Sequence, residues 1–368
     1  MPEKMVKVLI VDDSAYNRQT IKRMLEADTQ IEVVGVAHDG VDAMAKVMRL
    51  KPDIITLDFE MPEMDGFSFL RWLMKKNPLP VIMVSSYSDK KTVFTALELG
   101  AADFNSKPTR NASDELFRIR DDLIRKVKGI RDLRLDNLRI SRNLVPKEKE
   151  PARGRPERQA PPPQSREIRS VAIGASTGGP AALQVILADL PAHFPAAIMI
   201  SQHMPRGFTG TFAERLNRLS ALTVKEASDD MPVEGGTALV CPGGYHMTLK
   251  GRERNLRVAL HPAKDTDRYT PSIDAMMTSV AERYGETVVG VVLTGMGNDG
   301  KSGTVEIKDK GGYTIAESEE TSVVFGMPQE AIKTGAVDRV LPLGEISAEI
   351  VRVVMNTGDE QWKKIQGS

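Results

Sequence analysis

Val6-Lys7-Val8-Leu9-Ile10-Val11-Asp12-Asp13-Ser14 sets an apolar run directly against two adjacent carboxylates near the start of the chain. Val6–Val11 reads as a strand. Ile31–Ala37, Ile54–Leu57, Val81–Val84 and the weaker Asp103–Ser106 repeat the pattern, with amphipathic stretches between them. In Ala15–Ala27 the apolar Ile21, Met24 and Leu25 recur at helical spacing, and Gly66–Lys76 behaves likewise. Such strand–helix alternation implies a parallel sheet with helices on both faces. Five units make one doubly wound (βα)5 domain, whose site lies at the carboxyl ends of its strands.

Those ends carry chemistry. Asp12 and Asp13 follow the first strand and Asp58 the third, so three carboxylates converge in one crevice. Their mutual repulsion is costly unless a hard cation joins them, and Mg²⁺ takes such oxygen ligands. Ser85 and Lys107 end the fourth and fifth strands and bring a hydroxyl and a cation suited to phosphoryl oxygens. One such residue would pass as an acidic loop start or a surface lysine; five at successive strand ends do not.

Beyond this domain, Glu115–Ile140 keeps a helical apolar pattern through Leu116, Ile119, Leu123, Val127, Ile130, Leu133 and Leu138, and reads as the last helix running on outward. Arg142–Arg169 loses all pattern, with Pro161-Pro162-Pro163 among many charges, and reads as a solvated linker. The expected division is 1–130 for the first domain (its last helix reaching about 140), 141–169 for the linker and 170–368 for a second domain. The 50 basic and 50 acidic residues cancel, so no global charge draws the chain to nucleic acid or anionic lipid. The single cysteine, Cys241, excludes an internal disulfide framework and fits a reducing compartment. No signal-like segment precedes Val6, and no apolar run approaches the roughly 20 residues of a membrane span. The expectation is a soluble, cytoplasmic protein.

The second domain is again α/β and mostly parallel, with strands expected at Val171–Ile173, Ala197–Ser201, Thr223–Glu226, Thr237–Cys241, Val288–Leu293 and Tyr313–Ala316. A hairpin is expected to pair Met247–Lys250 with Leu256–Leu260 through Gly251-Arg252-Glu253-Arg254, and a final helix over Ile346–Met355 to precede a loose polar tail. Gly174-Ala175-Ser176-Thr177-Gly178 matches the Gly-x-Ser-x-Gly turn that exposes a nucleophilic serine between strand and helix. His203 and Asp299 each follow a strand at the same expected sheet edge, as a base and an orienting acid would. Two rival patterns share the last loop. Gly295-x-Gly297-x-x-Gly300, with Glu317 ending the next strand, spells a dinucleotide fingerprint. Gly295-x-x-x-x-Gly300-Lys301-Ser302 spells a phosphate-binding P-loop. Against both stands Asp299, a carboxylate where backbone N–H groups would receive phosphate; no convincing Walker-B strand follows. On these residues alone the hydrolase and nucleotide readings both remain open.

Resemblance separates them. Val11-Asp12-Asp13-Ser14, Leu57-Asp58, Met61-Pro62-Glu63-Met64-Asp65-Gly66, Ser85 and Lys107-Pro108 resemble a two-component response-regulator receiver domain. Ile173-Gly174-Ala175-Ser176-Thr177-Gly178-Gly179-Pro180, Gln202-His203-Met204-Pro205, Cys241-Pro242-Gly243-Gly244-Tyr245-His246-Met247, Pro271-Ser272-Ile273-Asp274 and Leu293-Thr294-Gly295-Met296-Gly297-Asn298-Asp299-Gly300 resemble the CheB family of chemotaxis protein-glutamate methylesterases. The resemblance implies Asp58 as the phosphorylated residue, Asp12, Asp13 and Asp58 as Mg²⁺ ligands, Ser85 and Lys107 as phosphoryl partners, and Phe104 at the switch-aromatic position. In the second domain it implies Ser176 as nucleophile, His203 as base, Asp299 as orienting acid and Thr177 beside His203; for that chemistry the Met296 N–H, with the Ser176–Thr177 turn, is the expected oxyanion donor. The implied activity removes methyl groups from chemoreceptor glutamates and, in many members, deamidates receptor glutamines. A chemotaxis histidine kinase is the implied phosphodonor, and the unphosphorylated receiver is expected to lie over the triad of a monomeric enzyme.

His38, His193, His246 and His261 are too scattered for a metal cluster. Cys241 with His246 could form a thiol nucleophile, but Cys241 ends an apolar strand and reads as packed. Ser272 reads either as a helix cap or as part of a substrate-facing loop. A regulator with a DNA-binding output is the alternative class, poorly matched by a parallel α/β pattern of neutral charge.

Overall fold

Of the five strands that open the chain, Val6–Val11 and Ile54–Leu57 are buried almost throughout and therefore run as continuous apolar segments, whereas Ile31–Ala37 at one edge is partly exposed and Asp103–Ser106 at the other is mostly polar. In the computed structural model, which describes residues 5–85, 90–107, 113–129, 133–145, 169–252, 255–264 and 266–355, they are β1 (Val6–Val11), β2 (Ile31–Ala37), β3 (Ile54–Leu57), β4 (Val81–Ser85) and β5 (Asp103–Ser106). All pair in parallel, in the order β2-β1-β3-β4-β5. Between them lie α1 (Ala15–Leu25), α2 (Gly40–Leu50), α3 (Gly66–Lys76) and α4 (Lys90–Leu99), followed by α5 (Ser113–Lys128). Ser14, Asp39 and Asp65 cap the first three helices by accepting an N–H three residues on. One side of the core joins Val8, Ile10, Ile54, Ile82 and Val84 to Ile21 and Leu25 of α1 and Leu123 and Val127 of α5. Each such side chain is worth about 1.5–3 kcal/mol relative to exposure.

The chain divides into two compact units, Met1–Arg139 and Ile140–Ser368. The helix expected across Glu115–Ile140 is two helices: α5 ends at Lys128, and α6 runs over Leu135–Leu144. Gly129 follows α5 as a weak helix former, and Leu133 turns in against the first core. Ser141, Arg142, Asn143 and Leu144 are thus helical, although the expected linker spanned 141–169. The rest of that linker, 146–168, and the polar tail, 356–368, lie outside the described residues.

The second unit contains β6 (Ser170–Ala175), α7 (Gly179–Asp189), β7 (Ala197–Gln202), α8 (Thr209–Leu219), β8 (Thr223–Glu226), β9 (Thr237–Val240), the hairpin β10 (Tyr245–Lys250) and β11 (Arg257–Pro262), and α9 (Ile273–Tyr284). It continues through β12 (Val288–Val292), α10 (Lys301–Asp309), β13 (Tyr313–Glu317), α11 (Met327–Ile332), β14 (Arg339–Leu341) and α12 (Leu343–Met355). Its seven-stranded sheet is parallel throughout, in the order β14-β13-β12-β6-β7-β9-β8. The hairpin forms a separate antiparallel pair. Strand β14 escaped the sequence reading because three residues carry no usable period; it is defined by pairing with β13. Helix α12 starts earlier than expected because buried Leu343 anchors it, its N–H donating to the Thr321 hydroxyl. The strand order places β6 between β7 and β12. Loops leaving β6 and β12 therefore diverge, and their carboxyl ends frame a crevice.

Candidate active site

In the first unit, the Asp58 N–H donates to Val11 O, which brings the end of β3 beside the end of β1. Ligand atoms of Asp12, Asp13 and Asp58 lie within 4.8 Å of one another. Asp12 accepts from the Ser14 N–H and from the Asn17 side chain, while Lys107 Nζ sits 2.7 Å from Asp58 Oδ1. Burial pushes the Asp58 carboxyl up to about 6, helped by the neighbouring Asp12 charge and opposed by Lys107. Burial likewise raises Asp12, against the pull of Lys107. Burial would lower Lys107, but its bond to Asp58 and the charges of the three aspartates raise it instead. The other Asp58 oxygen, Oδ2, is buried without a hydrogen-bond partner. An orphaned carboxylate oxygen beside two more carboxylates is the donor set a hard divalent cation requires. Ser85 ends β4 beside Ser106 on β5, as the sequence placed it, but its side chain lies outside the described residues. Phe104 is buried on β5, edge-on to Phe94 of α4.

In the second unit, Ser176, His203 and Asp299 follow the adjacent strands β6, β7 and β12. His203 Nε2 lies 2.8 Å from Asp299 Oδ2. The carboxylate also accepts the N–H groups of Ile273 (2.8 Å) and Asp274 (2.9 Å), and the Ser272 hydroxyl at 3.4 Å. Burial alone would raise Asp299, but the His203 bond and charge and these two N–H donors hold it below the usual carboxylate range. Asp299 is thus ionised at the N-terminus of α9, where the helix dipole favours negative charge. Because Nε2 is committed to Asp299, Nδ1 is the nitrogen left for a serine hydroxyl. The Ser176 hydroxyl itself is not hydrogen-bonded to the imidazole in this arrangement; such contacts often tighten only with substrate.

The serine turn is held from several sides. The Ser176 N–H donates to Thr294 O, so it is not an oxyanion donor, and the Thr294 hydroxyl donates to Thr177 O. The Gln202 amide bridges Ser176 O and His203 O. Gly178 sits at φ +82°, and a Cβ there would lie 2.7 Å from Val323, so this turn needs glycine. A Cβ on Gly295 would lie 2.8 Å from Ser176 Cβ, which brings the Gly295–Met296 backbone against the serine.

The nucleotide readings fail on electrostatics. Asp274 occupies the N-terminus of α10, accepting the Gly303 N–H at 2.7 Å and interacting with the Gly300 and Ser302 N–H groups. A P-loop would aim those donors at phosphate. Lys301 pairs with Glu330 instead. Glu317 is wholly buried and accepts the Thr294 N–H and the Thr321 hydroxyl, bracing the loop from behind. Burial pushes it up to about 7. Ser272 is the N-cap of α9, accepting from the Ala275 N–H. Cys241 is fully buried, and burial pushes its thiol far up, which removes the thiol-nucleophile alternative. Sequence reading missed the roles of Gln202, Asp274 and Glu317. It also left His246 as bland, whereas His246 bridges Asp267 and the Ser272 N–H.

Residues 171–350 match the family described as CheB methylesterase, and residues 8–118 match the response regulator receiver domain. A Geobacter sulfurreducens protein named protein-glutamate methylesterase/protein-glutamine glutaminase 3 is 48% identical, across 94% of this chain and 97% of its own. The chain belongs to the CheB methylesterase family. Similar proteins from Anaeromyxobacter dehalogenans and Myxococcus xanthus, carrying the same activity in their names, are 45% and 44% identical; the matches cover 94% and 93% of this chain and 95% of each relative. The CheB match spans the segment where a DNA-binding output would have to lie, and so overturns that alternative. Among the described residues no helix is long and apolar enough to cross a membrane.

Proposed function

We propose that this chain hydrolyses glutamyl γ-methyl esters on chemoreceptors, releases methanol, and is activated by phosphorylation of Asp58. The observation that carries this reading is the buried His203–Asp299 pair beside the Ser176 turn, at a switch point whose phosphate-binding alternative is filled by Asp274. In the proposed cycle, Ser176 Oγ attacks the ester carbonyl carbon while His203 Nδ1 takes its proton. Asp299 stabilises the resulting imidazolium. The Met296 N–H and the Thr177 side of the turn are assigned to the oxyanion. Collapse breaks the C–O bond to the methoxy group, which leaves as methanol with the proton from His203. Water then attacks the acyl-serine with His203 again as base, yielding free glutamate and restoring Ser176. A glutamine amide would follow the same path with ammonia leaving.

In the receiver unit, Asp12, Asp13 and Asp58 would hold Mg²⁺, which when bound offsets charge on the transferring phosphoryl group. Lys107 and Ser85 are assigned to its oxygens. A phosphoryl group on Asp58 must displace the Lys107–Asp58 contact, and that rearrangement is the proposed start of relief from restraint by the receiver. The phosphodonor is a chemotaxis histidine kinase and the setting cytoplasmic; the enzyme acts as a monomer in this reading. The test is methanol release from methylated receptor membranes by the full chain, with and without Mg²⁺ and a small acyl phosphate. Stimulated release that vanishes in Ser176→Ala is expected. Release that persists in that variant refutes the serine mechanism, and equal rates with and without phosphodonor refute the regulation.

A further inference from the structure

We propose that Tyr269 is a positioning residue for the catalytic imidazole, steadying the face of His203 and the positive charge that forms on it during turnover. The proposal rests on the ester-hydrolase reading above and assigns that site a residue which sequence patterns did not reveal. The Tyr269 and His203 rings lie 6° from parallel with centroids 5.1 Å apart, an offset stack. The tyrosine is fastened to the loop that bears the acid. Its hydroxyl donates to Asn298 Oδ1 at 3.0 Å and meets the Asn298 N–H at 3.4 Å, one residue before Asp299. Gly297, at φ +90°, makes room for it; a Cβ there would lie 2.2 Å from the phenol oxygen.

The segment carrying Tyr269 is pinned on both flanks. Asp267 accepts the Lys264 N–H and pairs with His246 Nε2, while the Ser272 N–H donates to His246 Nδ1. His203 is therefore held at one edge by Asp299 and across one face by Tyr269. Two contacts on different sides restrain the direction of Nδ1, which matters because modest misplacement of a base is costly. An aromatic face also attracts a cation through its quadrupole, and the ring in contact here becomes cationic in the transition state. Asp299, from the loop after β12, pairs directly with the imidazole; Asp274 of α9 interacts with Asp299, and the Arg268 guanidinium lies 5.1 Å from the Tyr269 centroid. Asp299 and Asp274 remain when only Tyr269 is changed, while Arg268 keeps its ring in a phenylalanine variant and loses it in a leucine one.

The experiment compares the full chain with Tyr269→Leu and Tyr269→Phe, measuring methanol release from a small glutamate γ-methyl ester across pH. Leucine removes the π face, whereas phenylalanine keeps it and loses only the hydroxyl. For Tyr269→Leu, kcat should fall by about 2- to 10-fold with KM little changed, and the acidic limb of the rate profile should move about half a unit lower. Tyr269→Phe should keep the acidic limb of the parent. Should the leucine variant unfold, Tyr269→Met fills the space without a π face and carries the same expectation. An unmoved limb in the leucine or methionine variant overturns the proposal, as does an equal displacement in the phenylalanine variant. A parent that releases no methanol removes the ester reading itself, and this proposal with it.

Discussion

Asp299→Asn tests the proposed orienting acid by removing its charge with almost no change in shape. The carboxylate receives four donors: His203 Nε2 and the Ile273 N–H on Oδ2, the Asp274 N–H and the Ser272 hydroxyl on Oδ1. Asparagine can accept at only one of those oxygens. With its carbonyl in the Oδ2 position it keeps His203 and Ile273, but its NH₂ then confronts the Asp274 N–H. With its carbonyl in the Oδ1 position the NH₂ faces the Ile273 N–H and His203 Nε2. The imidazole would then move its proton to Nδ1, the atom proposed to accept from Ser176. Either way one backbone donor is left unpaired in a buried place, costing about 1–3 kcal/mol of stability. In the first arrangement only the stabilisation of the imidazolium weakens, a loss of about 1.5–3 kcal/mol. In the second the tautomer is wrong, a fault worth on the order of 10⁴-fold in triad enzymes. The two arrangements carry one donor clash each, so both are populated. The expected fall in kcat is about 10²- to 10⁴-fold with KM little changed. Methanol release under saturating ester, with a thermal melt of the same sample, measures both quantities. A folded variant retaining kcat within about tenfold of the parent would show that Asp299 does not act through the charge of His203.

Other expectations follow from single groups. Ser176→Ala should reduce ester turnover on the order of 10⁴-fold or more while leaving phosphorylation of Asp58 unchanged, as read by labelled phosphodonor; loss of both would point to misfolding rather than chemistry. Glu317 titrates at about 7 in the native protein against its ordinary 4.5. The unfolded chain therefore releases this proton first, and stability from this site falls as pH rises between those values. Glu317→Gln should flatten the dependence of melting temperature on pH over that interval, and an unchanged slope would contradict it. Asp58 holds its proton up to about 6. Because Mg²⁺ needs the ionised carboxylate, the melting temperature should rise with Mg²⁺ more at about pH 7.5 than at about pH 5, and little in Asp58→Asn. Equal Mg²⁺ shifts at the two pH values would remove Asp58 from the ligand set.

Much of the architecture was legible because it is local. Val6–Val11 ending in Asp12-Asp13, and Ile54–Leu57 ending in Asp58, announce buried parallel strands whose carboxyl ends carry chemistry, and their pairing follows from the doubly wound pattern. Where local signal was thin the reading failed. Arg339–Leu341 is a strand only because β13 offers it an edge. The break after Lys128 depends on Leu133 finding the core rather than on helical periodicity, which runs unbroken through the gap.

By itself the sequence determined the residue types at each strand end, the two α/β units and the Gly-x-Ser-x-Gly turn, since these depend on neighbours along the chain. It could not choose between a serine hydrolase and a nucleotide site for Gly295–Ser302, because the spelling of a glycine loop is the same for both. Tertiary structure decided that by setting β6 between β7 and β12, which brings His203 to Asp299, and by turning Asp274 onto the N-terminus of α10. A helix terminus satisfied by a carboxylate from a neighbouring helix has neither free donors nor favourable potential for phosphate. That outcome depends on which groups meet across the sheet, and no local pattern encodes it.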